Sequence, residues 1–446
     1  MKDFFKFNLR HLSSDAAIAF QGTALARQAA ALVASVILVK GALSQGEVGL
    51  YEEWFYLGAI LTFLIISGVV QAFAASYVTN IGRSLIFQTY WILMSVLGAA
   101  ALVIFFLSQT LIPFLCGVDE IPKLGKVMVF LVLHFGAALV PYYLLVLDRA
   151  KTLLTFGLCY FVGMVLAVAL GVSKGSGLDP LLDALLWFAV LEHIYLVYLV
   201  SKEGALRFEN SVAAKLIRRA LPLAGYSFLG ALGLLFDAWL VNHSFKDLEV
   251  FAIFRYGARE LPGALALAGA FSAAMLPFFS SALRDGVVGE GALRLQRGSS
   301  RLMHAFMPLS ILLMLLSPWL FTTIYNDAYL PSAELFNIYL LLMLVRWIFA
   351  HTILIALEEE RLLLLISLVE LVINVVLSIW WLRLFGLVGI AYATVVAYAF
   401  EKLMMVLFLK RRHQISASSY FQISWWGFYA SLLIASFLVA KFFILP

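Results

Sequence analysis

Five basic side chains, Arg27, Arg255, Arg259, Arg346 and Lys402, fall inside stretches long and apolar enough to cross a bilayer. A charge in hydrocarbon is costly, so each needs a partner, a wet cavity or a ligand. Guanidinium offers a rigid fork of donors that matches phosphate oxygens and stays charged when partly dehydrated. A cationic lining therefore suits an anionic substrate. Arg255 and Arg259 stand one helical turn apart, on one face of a continuous helix, and could together grip a diphosphate. Arg27 lies near the middle of the first apolar stretch and Arg346 near the centre of the tenth, where snorkelling to either surface is hardest. These four arginines are the candidate substrate-binding set. Lys402 stands nearer an interface beside Glu401, and snorkelling is the simpler reading for it.

The competing reading is internal ion pairing. Glu192, Asp237, Glu260, Glu370 and Glu401 are intramembrane acids, enough to match the five cations one for one. Asp237, Glu260 and Glu370 are also candidates for coupling transport to a Na⁺ or H⁺ gradient. Glu52 and Glu53 head the second stretch next to Trp54 and Tyr56, which reads as interfacial acids in an aromatic belt, with a cation or proton site as the sharper alternative. His134, His193, His243, His304 and His351 show no catalytic or metal spacing. Cys116 and Cys159 are the only cysteines, and neither a disulfide nor a metal is expected. No nucleotide-binding loop occurs, so the chain is not an ATP-driven pump by itself, and no cofactor is expected.

The elements that must position these groups are membrane helices. The chain has 446 residues, 63% hydrophobic and 13% charged, with a mean hydropathy of +0.98. Soluble domains are about 45–50% apolar and about 25% charged. Thirteen spans, within a range of twelve to fourteen, are predicted near residues 16–40, 54–78, 84–108, 126–147, 152–172, 181–200, 220–242, 250–280, 302–325, 335–357, 362–384, 388–409 and 421–443. Basic residues gather in the alternate connections that include Lys2, Lys6, Arg10, Lys215, Arg218, Arg219 and Lys410–Arg412, which places the N-terminus in the cytoplasm. Residues 1–14 carry Lys2, Lys6 and Arg10 among aromatics and read as a retained basic flank or a short amphipathic surface helix. The net charge of +5 reflects such flanks and does not point to nucleic acid.

The longest inner connection, 201–219, divides the chain into an N-lobe of spans one to six (1–200) and a C-lobe of spans seven to twelve (220–410), with an additional span in 411–446. A shift of 202 residues pairs the hairpin Leu38–Val48 with Leu240–Val250 and lays one half on the other. An even number of spans per half gives both the same orientation, hence a pseudo-two-fold axis normal to the membrane. Pro141, Pro262, Pro277, Pro308 and Pro318 fall inside spans and are either tolerated or gating kinks.

Three segments carry a family resemblance: LVKGALSQGEVGLY (Leu38 to Tyr51), SGVVQAF (Ser67 to Phe73) and ALPLAGYSFLGAL (Ala220 to Leu232). With the two six-span halves they resemble the polysaccharide flippases, O-antigen type, of the multidrug/oligosaccharidyl-lipid/polysaccharide (MOP) superfamily. The resemblance implies an all-α, V-shaped transporter of the bacterial inner membrane that alternates access and moves an undecaprenyl-diphosphate-linked, anionic oligosaccharide to the periplasmic leaflet. It further implies a basic cavity, here falling on Arg27, Arg255, Arg259 and Arg346, a monomer among membrane lipids, and polysaccharide assembly proteins as partners. A peptidoglycan-precursor flippase, usually with fourteen spans and more cavity arginines, is a close variant. The alternatives are a cation-coupled multidrug exporter of the same fold, which would favour acids in its cavity, and a membrane polysaccharide polymerase, which the short outer loops disfavour. The additional span and Phe251-Ala252-Ile253, in place of Gly49-Leu50-Tyr51, depart from the pattern.

Overall fold

The computed structural model describes residues 14–77, 84–173, 177–203, 208–261, 263–284 and 287–444. Among the described residues there are helices and no strands, and twelve helices are long and apolar enough to cross a membrane. The chain forms two compact units. The first comprises Met1–Leu235 and Asn242–Ala252, the second Phe236–Val241 and Ile253–Pro446.

The first unit contains α1 (Ser14–Lys40), α2 (Gln45–Leu61), a π-helical turn at Thr62–Ile66, α3 (Ser67–Tyr77), α4 (Ser84–Phe106), α5 (Ser108–Cys116), α6 (Leu124–Gly136), α7 (Leu139–Val146), α8 (Ala150–Ser173) and α9 (Leu178–Glu203). Most of α10 (Asn210–Phe245) also belongs to it, and α11 (Leu248–Gly257) runs from the first unit into the second. A capping box starts α2: Ser44 Oγ accepts from the Glu47 amide at 3.3 Å, and the Ser44 amide donates to Glu47 Oε2 at 2.8 Å. The helix therefore begins well before the expected start at 54, which draws Glu52, Glu53, Trp54 and Tyr56 into the protein interior. The aromatic-belt reading of these residues does not hold.

Packing of α1 on α8 depends on small residues. A Cβ on Gly157 would stand 2.9 Å from Thr23 Cα, and Thr23 Oγ1 donates to the Leu153 carbonyl at 2.8 Å. That close approach fixes the register in which Arg27, one turn beyond Thr23, meets Tyr160. The early part of α10 packs in the same unit. Gly68 leaves room for Ala220 and Ala224, Gln71 Nε2 donates to Ser227 Oγ at 2.9 Å, Arg219 donates to Ser76 Oγ at 3.0 Å, and the Tyr56 hydroxyl donates to the Leu235 carbonyl at 3.2 Å. The expected 201–219 connection is largely helical, with 201–203 ending α9 and 210–219 opening α10.

The second unit continues with α12 (Ala264–Arg284), α13 (Val288–Ile324), α14 (Leu330–Leu340), α15 (Met343–Arg346), α16 (Ala350–Ala356), α17 (Glu360–Phe385), α18 (Leu387–Arg412), α19 (Ala417–Tyr420) and α20 (Ile423–Val439). Two spans expected as single helices are broken. The eighth is interrupted after Gly257 and resumes at Ala264; the tenth is interrupted at Leu341–Leu342 and again at Trp347–Phe349. The first unit has a comparable break at Ala137–Ala138, just before Pro141. Irregular backbone at membrane depth needs protein partners for its polar groups. Here Trp426 Nε1 of α20 donates to the Leu344 carbonyl at 2.7 Å, and Ser332 Oγ donates to the Ile253 carbonyl at 2.8 Å. By contrast α13 runs unbroken through Pro308 and Pro318, and Pro277 lies within α12. Pro262 and the basic segment 1–13 lie outside the described residues.

Candidate functional site

In the first unit, α1 and α8 bring Arg27 against Tyr160, with the guanidinium 4.7 Å from the ring centroid. A cation over an aromatic face is attracted by the ring quadrupole. Tyr160, Glu192 on α9 and Tyr142 on α7 make up its electrostatic surroundings. Glu192 in turn bonds His134 on α6, with Nδ1 and Oε2 2.7 Å apart. His134, expected to be without a functional pairing, thus has an acidic partner in the interior.

In the second unit, the break in the eighth span changes the geometry foreseen for the arginine pair. Arg255 lies on α11, but Arg259 follows the end of that helix, so the two do not share one helical face. The chain instead folds back: Arg259 Nε donates to the Arg255 carbonyl at 3.0 Å, and its guanidinium lies 4.7 Å from the Tyr256 ring centroid. The next residue, Glu260, forms an ion pair with Arg346 at the end of α15. Arg346 also stands 5.6 Å from the ring of Tyr398 on α18. Its charge is matched internally, as the pairing alternative foresaw. Lys402 is matched as well, by Glu401 at 3.1 Å, and its Nζ reaches Met405 Sδ at 4.0 Å.

Asp237 is fully enclosed and, among the described residues, meets hydroxyls rather than a basic group. Thr394 Oγ1 of α18 lies 2.6 Å from its Oδ2, and Ser378 Oγ of α17 lies 3.4 Å from its Oδ1. Asn374 Nδ2 donates to the same threonine oxygen at 3.2 Å, while the buried Asn374 Oδ1 has no hydrogen-bond partner. A carboxylate and two hydroxyls form a hard-oxygen donor set, suited to an alkali cation or to a proton on the carboxyl. Glu370 stands one turn before Asn374 on α17 and interacts electrostatically with Glu401 and Lys402. Glu52 and Glu53 are 4% and 0% exposed, and Glu53 acts electrostatically on the Cys116 thiol at the end of α5. Burial and that acid push the Cys116 thiol well above its ordinary range.

The family model described as "Lipid II flippase MurJ" matches residues 152–445. The chain belongs to the MurJ family. A solved lipid II flippase MurJ, in an inward closed conformation, overlays with a TM-score of 0.69 at 13% identity, covering 96% of this chain and 98% of that one. An inward-facing multidrug resistance MATE transporter of the MOP superfamily overlays with a TM-score of 0.61 at 12% identity, covering 94% and 99%. A MOP superfamily transporter from Pyrococcus furiosus, described as having a binding pocket of reversed polarity, gives 0.55 at 14%, covering 94% and 95%. These three share the fold of this MurJ-family chain. No curated protein matches it in sequence.

In this MurJ-family chain, several neighbours of the charged groups escaped the sequence reading. Asn374, Ser378, Thr394, Tyr160 and Tyr398 are uncharged residues in apolar runs, where nothing local separates a site residue from packing. One signal was available: Asn374 and Ser378 repeat at helical spacing beyond Glu370, marking a polar stripe on an otherwise apolar helix.

Proposed function

We propose that this protein translocates a lipid-linked, diphosphate-bearing saccharide across the bacterial inner membrane by alternating access, with its N-terminus in the cytoplasm. Lipid II is the first candidate, because the MurJ family model spans residues 152–445 and its members are named for that substrate. An undecaprenyl-diphosphate-linked O-antigen unit shares the same headgroup chemistry and is the second. Arg27 in the first unit, and Arg255 and Arg259 in the second, are assigned to the phosphates. Arg346, already engaged by Glu260, is assigned to holding the broken helices in place. The Asp237, Ser378 and Thr394 oxygens are assigned to a coupling Na⁺ or H⁺.

The test is translocation in reconstituted vesicles of fluorescent lipid II, of an undecaprenyl-diphosphate oligosaccharide and of a cationic dye, with and without an imposed Na⁺ or H⁺ gradient. Lipid II movement that Arg27→Ala abolishes at unchanged protein level supports the first reading. Movement of the oligosaccharide alone transfers the assignment to the second. Dye efflux without movement of either lipid would overturn both in favour of a multidrug exporter.

A further inference from the structure

The first unit encloses a titratable pair beside Arg27 that the proposed function does not use. His134 is 2% exposed and Glu192 7%, and their polar atoms meet at 2.7 Å. The imidazole stacks on Phe130 at 5.2 Å, is edged by Phe135 at 5.1 Å and Phe55 at 6.1 Å, and has the Tyr160 ring 6.0 Å away.

Each neighbouring helix adds its own groups. From α1 comes Arg27 and from α8 Tyr160, both interacting electrostatically with Glu192. From α7 comes Tyr142, which acts on Arg27. On α2, beside Phe55, stand Glu52 and Glu53, the latter acting electrostatically on Cys116. On α4, Tyr90 bonds His193 of α9 at 3.1 Å rather than the pair. With the imidazole neutral, Glu192 and Arg27 cancel. One more proton on the pair leaves a net positive charge beside Tyr160.

We propose that His134 and Glu192 form a proton-binding site that competes with the substrate's phosphates for Arg27. In the deprotonated state Glu192 is the counter-ion of Arg27. A proton shared by the pair withdraws that counter-ion and frees the guanidinium for an anionic headgroup, so substrate binding takes up a proton from the accessible side. By linkage the effect is reciprocal: a proton strengthens diphosphate binding by the factor with which diphosphate strengthens proton binding. The inference rests on Arg27 being a phosphate ligand.

The test uses the purified full-length protein in detergent, with farnesyl diphosphate as the probe, and affinities measured at pH 6 and pH 8. Ionisation of the probe acts on every variant alike, so the readout is each affinity relative to Glu192→Gln, which keeps shape and hydrogen bonding but removes the charge. Wild type is expected to match this variant at pH 6 and to bind about fivefold or more weakly at pH 8. His134→Gln, which removes the exchangeable proton, is expected to stay at the weaker level at both values; if Glu192→Gln fails to fold, the wild type is read against His134→Gln instead, binding about fivefold or more tightly at pH 6 and equally at pH 8. A wild type that keeps one ratio to Glu192→Gln at both pH values overturns the proton site and leaves the assignment of Arg27 intact. Wild-type affinity in Arg27→Ala overturns that assignment and the inference with it.

Discussion

Arg346, at the end of α15, and Glu260, just beyond the end of α11, form an ion pair between two interrupted membrane helices. Both side chains are largely shielded, at 13% and 18% exposed. The pair therefore brings together two stretches whose backbone cannot complete its own helical hydrogen bonding.

Removing one partner of such a pair strands the other charge. Arg346→Met or Glu260→Leu alone is expected to cost about 3 kcal/mol, and the double variant Arg346→Met/Glu260→Leu to recover much of the loss. Thermal unfolding in detergent, arranged as a double-mutant cycle, checks this. A loss in the double variant equal to the sum of the two single losses would mean the pair is not coupled.

Asp237 and its oxygen neighbours provide a second expectation. If they bind Na⁺, NaCl should stabilise the wild type against choline chloride, by about 2.7 kcal/mol at a hundredfold excess over the dissociation constant. Asp237→Asn should abolish the difference and Thr394→Val reduce it. Stabilisation of Asp237→Asn to the wild-type extent would place the cation elsewhere.

The α3–α10 contact tolerates no side chain at residue 68. A Cβ there would come within 2.6 Å of the Ala224 amide nitrogen and closer still to the Ala220 carbonyl. Gly68→Val is expected to lose about 1–3 kcal/mol through overpacking, read as a lower unfolding temperature. Gly225, on the same stretch of α10, has open space around it, and Gly225→Ala serves as the control that should not lose stability.

The additional C-terminal span is bolted to the second unit by polar contacts. Gln296 Nε2 of α13 donates to the Ser418 carbonyl at 2.7 Å, Ser300 Oγ donates to Gln422 Oε1 at 2.7 Å, and Trp426 caps the Leu344 carbonyl near the broken tenth span. Trp426→Phe keeps most of the ring but leaves that carbonyl without its donor. A loss of about 1–3 kcal/mol is expected, together with faster hydrogen exchange in residues 341–349.

Hydropathy alone determined that this is an all-helical membrane protein with about a dozen spans, because burial in a bilayer acts on each stretch of some twenty residues independently. Tertiary structure decided how its charges are used. Arg346 meets Glu260 and Asp237 meets Thr394 across long separations in the chain, and no local pattern selects such partners. Hydropathy averages over the breaks after Gly257 and around Trp347–Phe349, since apolar residues flank them on both sides, so Arg255 and Arg259 read as one helical face when the backbone turns between them. Glu52 and Glu53 looked interfacial because acids prefer water. The Ser44–Glu47 capping box and the surrounding helices instead fold them inside, where Glu53 acts electrostatically on the Cys116 thiol.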